Sequence, residues 1–501
     1  MFLRRDWRQR ADYYAHTSLD KTATGRQQTQ RGTMFVHRSA ARLKIGPGGR
    51  HRDGLLSHFR VHDMHVSNDD RAAAALPESA RISRWPLTMM WWASCSAIAY
   101  LFLGVQLAVK FGTLNALIGM VVAALVMGTI GGILAPYSLR TGASSSVLSQ
   151  VMFGTRGGSV PTLILCITCL YYAVFEGAVV ATAAAKEWPG MGYHLAVLIV
   201  VLYSAPLGIG TVQNFLNKLN AVLLPFYVLG LIMLAVLAIK EHGYSAAWLH
   251  MGPPPAPNLN GVWNCFVPYF GTLALAMITM DIARFGKASN ERYHSVFNFG
   301  VPFYLLTYLP AGAIGIFIVA TTSPAQISDT AVLDACLLLL GGVAGLVWVT
   351  VTQTRINSAN FYVTTVNLQA FLEEALHWRL SKAVCAAAVG IAVYIFMRST
   401  NVLGTILIAV HYLGIFLIAW VGVAVSHVLG VGKAMEVLEE THVPDFKWNG
   451  LLAWVVGVLA GIALGFVGGT ADTFAAPATL LLSGLVYRLM RARESVMQTS
   501  R

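Results

Sequence analysis

A single carboxylate inside an otherwise apolar run is the first feature of this chain that could do chemistry. The run is VPTLILCITCLYYAVFEGAVVATAAA, residues 160–185, and Glu176 is its only charged side chain. A helix crossing a bilayer core needs roughly 20 residues at about 1.5 Å each, so this run is one span. An ionised carboxylate at mid-bilayer costs roughly 2.5–3.5 kcal/mol on insertion scales, so such residues face a bundle interior or a wet cavity. Tyr172 stands one turn before Glu176 and Thr168 one turn before that, which gives this helix face a ring and polar groups. A second polar set, Thr350, Thr352, Arg355 and Asn357, falls within the apolar stretch 341–363. A third, Asp281 and Arg284, lies three residues apart at the end of the stretch 262–282. That spacing suits an interface ion pair or a gate contact. Cys166 and Cys169 form a CxxC with no His or Cys partners nearby, and they read as small packing residues. His411 reads as a core histidine.

These residues must be positioned by membrane helices. Of 501 residues, 56% are hydrophobic and 12% charged, about half the charge of an average soluble domain. The formal charge of +12 does not point to nucleic acid, because the basic residues sit in the first 86 positions and in short loops between apolar spans. Residues 1–86 hold 16 Lys/Arg against 8 Asp/Glu and no long apolar run. They read as a disordered basic cytoplasmic tail. From residue 87 onward the spans are 87–108, 113–135, 160–185, 193–211, 219–239, 262–282, 297–320, 341–363, 382–398, 402–428, 450–469 and 473–490. The expected fold is therefore an all-α integral membrane protein with twelve transmembrane helices. With the tail and the in-span Arg355 left out, fourteen Lys/Arg fall on one side of these spans and four on the other. The positive-inside rule then puts both termini in the cytoplasm of an inner (plasma) membrane protein. The eighth span is read as starting at Gly341-Gly342, after a short external helix at 330–340. Residues 491–501 form a cytoplasmic tail.

Gly457, Gly461 and Gly465 repeat at four-residue spacing, a helix-packing signature. They mark 450–490 as a peripheral hairpin joined by the charged loop 430–449. Without it, ten helices remain in two similar halves, 87–239 and 262–428. Five is odd, so the second half must be inverted relative to the first, as in carriers with broken helices and a midplane site. Ser94, Cys95 and Ser96 in the first span, and Pro268 and Gly271 in the sixth, are the candidate breaks.

Four stretches, in order, resemble the nucleobase:cation symporter-1 family, which includes cytosine, uracil, purine, allantoin and hydantoin permeases. They are Arg140-Thr-Gly with SSSVLSQVMFGTRGG (144–158), FGTLALAMITMDIARFGK (270–287), NSANFYVTTVNL (357–368) and VPDFKWNGLLAWVVG (443–457). The resemblance implies a leucine-transporter-like 5+5 inverted repeat plus two peripheral C-terminal helices. It also implies import of a planar nitrogen heterocycle with Na⁺ or H⁺ by alternating access, with no enzymatic step and no bound cofactor beyond the coupling ion.

Carried over position by position, the third-helix aromatic falls on Tyr171 or Tyr172 and the third-helix polar position on Glu176. The eighth-helix amide falls on Asn357 or Asn360. The aromatic expected just after Phe270-Gly271 is replaced by Thr272 and Leu273. Tyr171, Tyr172, Phe175 and Phe270 are then the candidate ring faces, and Gly271 a freed backbone position. In related carriers Na⁺ sits between helix one and hydroxyls of helix eight, for which Thr350 and Thr352 are the nearest matches. Arg355 would repel Na⁺ there, and with Glu176 it tilts the reading toward H⁺. Asp281 and Arg284 remain the gate pair. The expected partners are a small-molecule substrate and the lipid bilayer, not nucleic acid; the oligomeric state is left open. An amino-acid or polyamine permease of the same architecture is the alternative. A membrane-embedded enzyme lacks support, since no H-x-x-x-H, D-x-x-D or Ser-His-Asp cluster falls in a loop between the spans; His58-x-x-x-His62 lies in the basic tail.

Overall fold

In a computed structural model, residues 74–501 are described, apart from 211–214, 254–255, 323–326, 400–401, 404–405, 432–442 and 500–501. Side chains of 406–412 and 494–499 are also outside the description, so His411 and most of the expected tail fall beyond it. Apart from short turns, the chain forms sixteen helices among the described residues: α1 Arg84–Trp91, α2 Ala99–Phe111, α3 Thr113–Thr141, α4 Ser145–Phe153, α5 Ser159–Glu187, α6 Gly192–Ser204, α7 Asn217–His242, α8 Leu259–Phe266, α9 Ala274–Ala283, α10 Val301–Thr322, α11 Ala331–Leu340, α12 Gly342–Leu376, α13 Lys382–Ser399, α14 Ile406–Val431, α15 Trp448–Val467 and α16 Ala475–Thr499.

Ten helical segments are long and apolar enough to cross a membrane, and the bent pair α1–α2 makes eleven, among the described residues. The 35-residue α12 has the length but not the composition. Its middle carries Gln353, Arg355, Asn357 and Asn360, all buried. Burial inside protein rather than lipid is what lets such a helix exist at that depth.

Both expected breaks are present. The first span unwinds into a 3-10 segment over Trp92–Ser96 and bends by 41° before α2. The sixth unwinds over Val267–Leu273, between α8 and α9. Pro268 has no backbone N–H and enforces this second break locally. At the eighth span the structure matches the expectation: α11 ends at Leu340, Gly341 takes φ +78°, and α12 begins at Gly342. Gly457 and Gly461 face Ser483 and Thr479 of α16, so the small-residue stripe closes a hairpin within this chain.

Residues 74–83, assigned to the disordered tail, are instead hydrogen-bonded to the bundle. Leu76 N–H donates to Gly142 O (2.9 Å) and Ile82 N–H to Phe285 O (2.7 Å). Arg81 Nη1 donates to Leu139 O at 2.6 Å. The strap bonds to the C-terminal ends of α3 and α9, which carry the Arg140-Thr-Gly and Asp281-x-x-Arg284-Phe sequences. A Cβ at Gly142 (φ +74°) would stand 2.2 Å from Leu76 O and 2.8 Å from Arg81 Nη2. Gly142→Ala is expected to lower the melting temperature of the purified protein, because the left-handed backbone alone costs about 1–2 kcal/mol and the strap must also move. Gly190→Ala, where nothing lies within 4 Å, is the control expected to leave it unchanged.

Candidate functional site

The third and eighth spans cross as a closely packed pair, α5 against α12, with the broken first and sixth spans beside them. Between the four lies a cavity of about 80 Å³. A water needs about 10–15 Å³ by this measure, so the space suits a small ring or a few waters. Its wall carries Tyr171, Tyr172, Phe175 and Glu176 from α5, and Ser94, Tyr100 and Leu103 from the first span. The sixth span contributes Thr272, Leu275 and Ile278, and α12 contributes Ile356, Ala359, Asn360 and Val363. On α12 these four are i, i+3, i+4 and i+7, one helix stripe.

Glu176 is 3% exposed and is the only charged residue on that wall among the described residues. Gln353 of α12 donates its Nε2–H to Glu176 Oε2, while its Oε1 accepts from Ile98 N–H at 3.4 Å. That second bond fixes which way the Gln353 amide faces, so Glu176 Oε2 serves as its acceptor. Gln353 therefore ties the first, third and eighth spans together. It stands two residues before Arg355 on a polar helix and was not singled out from the sequence. The one available signal was that buried amides at mid-bilayer need a partner.

Tyr172 O–H donates to Gly271 O at 3.2 Å, a carbonyl released by the sixth-span break. Thr272 O–H donates to Tyr269 O (2.7 Å) and its oxygen meets Tyr308 O–H at 2.9 Å. Asn360 Nδ2–H donates to Asn357 Oδ1 at 3.3 Å. Asn357 thus supports the wall from behind without lining it, and Asn360 carries the amide presented to the cavity.

Other expected residues sit elsewhere. Phe270 is buried against Phe266, ring centroids 5.0 Å apart, and neither it nor Gly271 lines the cavity. The 3-10 winding of Val267–Leu273 turns Thr272, not Phe270, into it. Thr350 lines a separate apolar groove with Val180, Tyr203 and Leu346, about 120° around α12 from Ile356 at about 100° per residue. Thr352 donates to Val349 O (2.8 Å), and its carbonyl accepts Ser96 O–H (3.1 Å). Arg355 is fully buried and donates Nη2–H to Trp92 O at 2.9 Å. It also lies 5.8 Å from the Tyr227 ring centre. The guanidinium thus occupies the carbonyl mouth of the first-span break.

Asp281 and Arg284 are both buried, at the far end of the sixth span. The Asp281 carboxylate accepts Ser145 N–H and O–H (both 2.8 Å) and Asn367 Nδ2–H (3.2 Å). Arg284 reaches Ala74 O at 3.3 Å and the Asp281 carbonyl at 3.4 Å. A carboxylate at the N-terminus of α4 satisfies otherwise unpaired N–H groups and meets the positive end of the helix dipole. Further along α4, Ser146 O–H (2.6 Å) and Gln150 Nε2–H (2.8 Å) donate to Glu374. Ser149 Oγ accepts Trp420 Nε1–H (2.7 Å). This short helix, read as loop in the sequence, joins the ends of the sixth, eighth and tenth spans.

Comparison with known proteins agrees with this architecture. One solved structure is Mhp1, a nucleobase-cation-symport-1 family transporter, in a closed conformation with bromovinylhydantoin bound. It superposes with TM-score 0.67 at 14% identity, over 85% of this chain and 95% of that one. MhsT in complex with L-phenylalanine gives TM-score 0.56 at 12% identity, over 81% and 99%. A Na⁺-coupled sialic acid symporter in its substrate-bound outward-open state gives 0.57 at 11%, over 84% and 92%. At these identities the likeness is one of fold. No curated protein matches the sequence. A family profile matches residues 75–486, nearly the whole described chain, and this protein therefore belongs to the family of permeases for cytosine/purines, uracil, thiamine and allantoin.

Proposed function

We propose that this permease imports a nucleobase or related planar nitrogen heterocycle together with a proton, by alternating access. The observation that carries this reading is Glu176, buried on the wall of a cavity that also presents aromatic faces, aliphatic side chains, the Ser94 and Thr272 hydroxyls and the Asn360 amide. Flat apolar rings suit the two faces of a heterocycle, with offset stacking worth about 0.5–1.5 kcal/mol beyond area burial. Asn360 and Glu176 suit its polar edge, and each buried polar group left unpaired by a wrong ring costs about 1–3 kcal/mol.

Proton rather than Na⁺ coupling is supported by Arg355. A cation beside the Trp92 carbonyl in the first-span break meets a guanidinium already bonded to that oxygen. Tyr100 of the first span and Tyr171 and Tyr172 of its own helix line the same cavity as Glu176. In this reading α12, the eighth span, brings the number of membrane spans to twelve, and the first ten spans form two inverted five-helix repeats. Both termini are cytoplasmic in the inner membrane, with Asp281 and its Ser145 and Asn367 partners in the inner gate. A thermal-shift screen of the purified protein against nucleobases, allantoin, hydantoin and basic amino acids, with and without Na⁺, tests the substrate class. A planar heterocycle is expected to raise the melting temperature without Na⁺. A shift confined to amino acids or amines would instead favour the alternative permease class.

A further inference from the structure

The entry to the seventh span is irregular. Residues His294–Asn298 wind as a single π-turn, closed by Phe299 N–H donating to His294 O at 2.7 Å, before α10 begins at Val301. Such turns are rare and concentrate at functional sites. This one brings two fully buried side chains together, with Asn298 Nδ2 3.0 Å from His294 Nδ1. Asn298 Oδ1 accepts Trp92 Nε1–H at 3.0 Å. An indole nitrogen only donates, so the amide oxygen must face Trp92 and the amide nitrogen His294. His294 Nδ1 is then the acceptor, and the imidazole is neutral with its proton on Nε2.

Trp92 opens the first-span break, and its carbonyl holds Arg355. One residue is therefore fixed from two sides, its main chain by the eighth span and its ring by the seventh. The first span meets this segment along one stripe, i, i+4 and i+8. The Arg84 guanidinium lies 4.9 Å from the Tyr293 ring centre, Thr88 Oγ1 lies 3.2 Å from Tyr293 Oη, and Trp92 sits on Asn298. Of these contacts, that of Trp92 is the one at the break. We propose that Asn298, oriented by His294, is a positioning residue for transport. By holding the Trp92 ring it keeps the Trp92 carbonyl on Arg355, and so sets how readily the first-span break rearranges. Neither Asn298 nor Trp92 lines the cavity, so the effect falls on the conformational step and not on ring binding. The inference rests on the carrier reading above, but on neither the ring chosen nor the coupling ion.

Cys95, a buried free thiol inside the break, reports on it directly. Purified full-length wild type, Asn298→Leu and Trp92→Phe are alkylated with N-ethylmaleimide, and the modified cysteines are identified by peptide mass spectrometry. Uptake of the labelled ring that gives the largest thermal shift is measured beside this in proteoliposomes. Asn298→Leu removes both polar atoms at nearly the same size. Cys95 is expected to be alkylated about tenfold faster than in wild type, the equivalent of one buried hydrogen bond at about 1.4 kcal/mol. Cys169 and Cys336, buried elsewhere, are expected to stay as protected as before. Maximal uptake is expected to fall about tenfold, with the half-saturating concentration within about twofold of wild type. Trp92→Phe removes the indole N–H and keeps a ring against Phe297 and Phe303. It is expected to act in the same way and covers the case in which Asn298→Leu does not fold. Asn298→Asp retains the oxygen for Trp92 and lets His294 donate from Nδ1, so it should recover Cys95 protection and most of the rate. Cys95 alkylation unchanged in both Asn298→Leu and Trp92→Phe overturns the proposal, and so does faster alkylation of all three cysteines together, which reads loss of the fold. A raised half-saturating concentration at unchanged maximal rate overturns it too, by placing the effect in binding. Absence of uptake by folded wild type overturns the carrier reading, while the alkylation rates still decide whether Asn298 holds the break.

Discussion

Replacing Glu176 with alanine is expected to abolish concentrative uptake, at least a hundredfold, while leaving a folded protein. The carboxylate is buried at the junction of the first, third and eighth spans, and Gln353 meets one of its oxygens. Truncation removes the one charged group on the cavity wall among the described residues and leaves the Gln353 N–H without its acceptor. An unpaired buried donor costs about 1–3 kcal/mol, so a measurable drop in melting temperature should accompany the loss of transport. The two effects separate in Glu176→Gln, which retains an acceptor for Gln353. Its melting temperature should return close to wild type while concentrative uptake stays lost, because an amide does not take up and release a proton near neutral pH. The check is labelled-ring uptake in proteoliposomes beside a melting curve. Normal accumulation by Glu176→Gln would show that the charge is dispensable.

The second large effect is expected at Arg355. Its guanidinium donates to Trp92 O in the first-span break and stacks near Tyr227 of α7, so three spans meet on one side chain. Arg355→Ala frees that carbonyl mouth and removes the fixed positive charge. Uptake is expected to fall by about two orders of magnitude, with loss of thermal stability, since removing a buried hydrogen-bonded cation strands its partners. Arg355→Lys keeps a donor and a charge but lacks the planar fork. It should therefore recover part of both quantities. If Arg355→Ala transports at wild-type rate without Na⁺, the guanidinium has no part in coupling or in holding the break.

Much of this architecture was legible in the residues because the bilayer leaves so few solutions. A lone acid in an apolar run, as at Glu176, has to face protein or water. Ser94–Ser96 and Pro268–Gly271 are where span-length helices carry residues that tolerate unpaired backbone, and the helices do break there. The Gly341-Gly342 step separated a short helix from α12 for a similar local reason. What was not legible depends on rotation and on distant partners. Phe270 matches in sequence, but the 3-10 turn around it swings its ring away from the cavity. Thr350 has the right chemistry on the wrong side of α12, because six residues from Ile356 is not a whole number of turns. Gln353 finds its acceptor 177 positions away, and nothing local marks it. Asp281 and Arg284 are close in sequence, yet the Asp281 carboxylate is spent on Ser145 and Asn367. The helix that begins at Ser145 was hidden in a serine-rich stretch, although Ser144, whose hydroxyl accepts from Val147 N–H, is an ordinary N-cap.

Uptake driven by a single imposed gradient is the direct test of proton-coupled carriage through Glu176. The protein is reconstituted into proteoliposomes with the ring that gives the largest thermal shift, in Na⁺-free buffer, and an inward proton gradient is applied. The expected result is accumulation above the external concentration, collapsed by a protonophore, indifferent to added Na⁺ and absent in Glu176→Gln. Accumulation that requires a Na⁺ gradient, or that proceeds unchanged without a proton gradient, would contradict it.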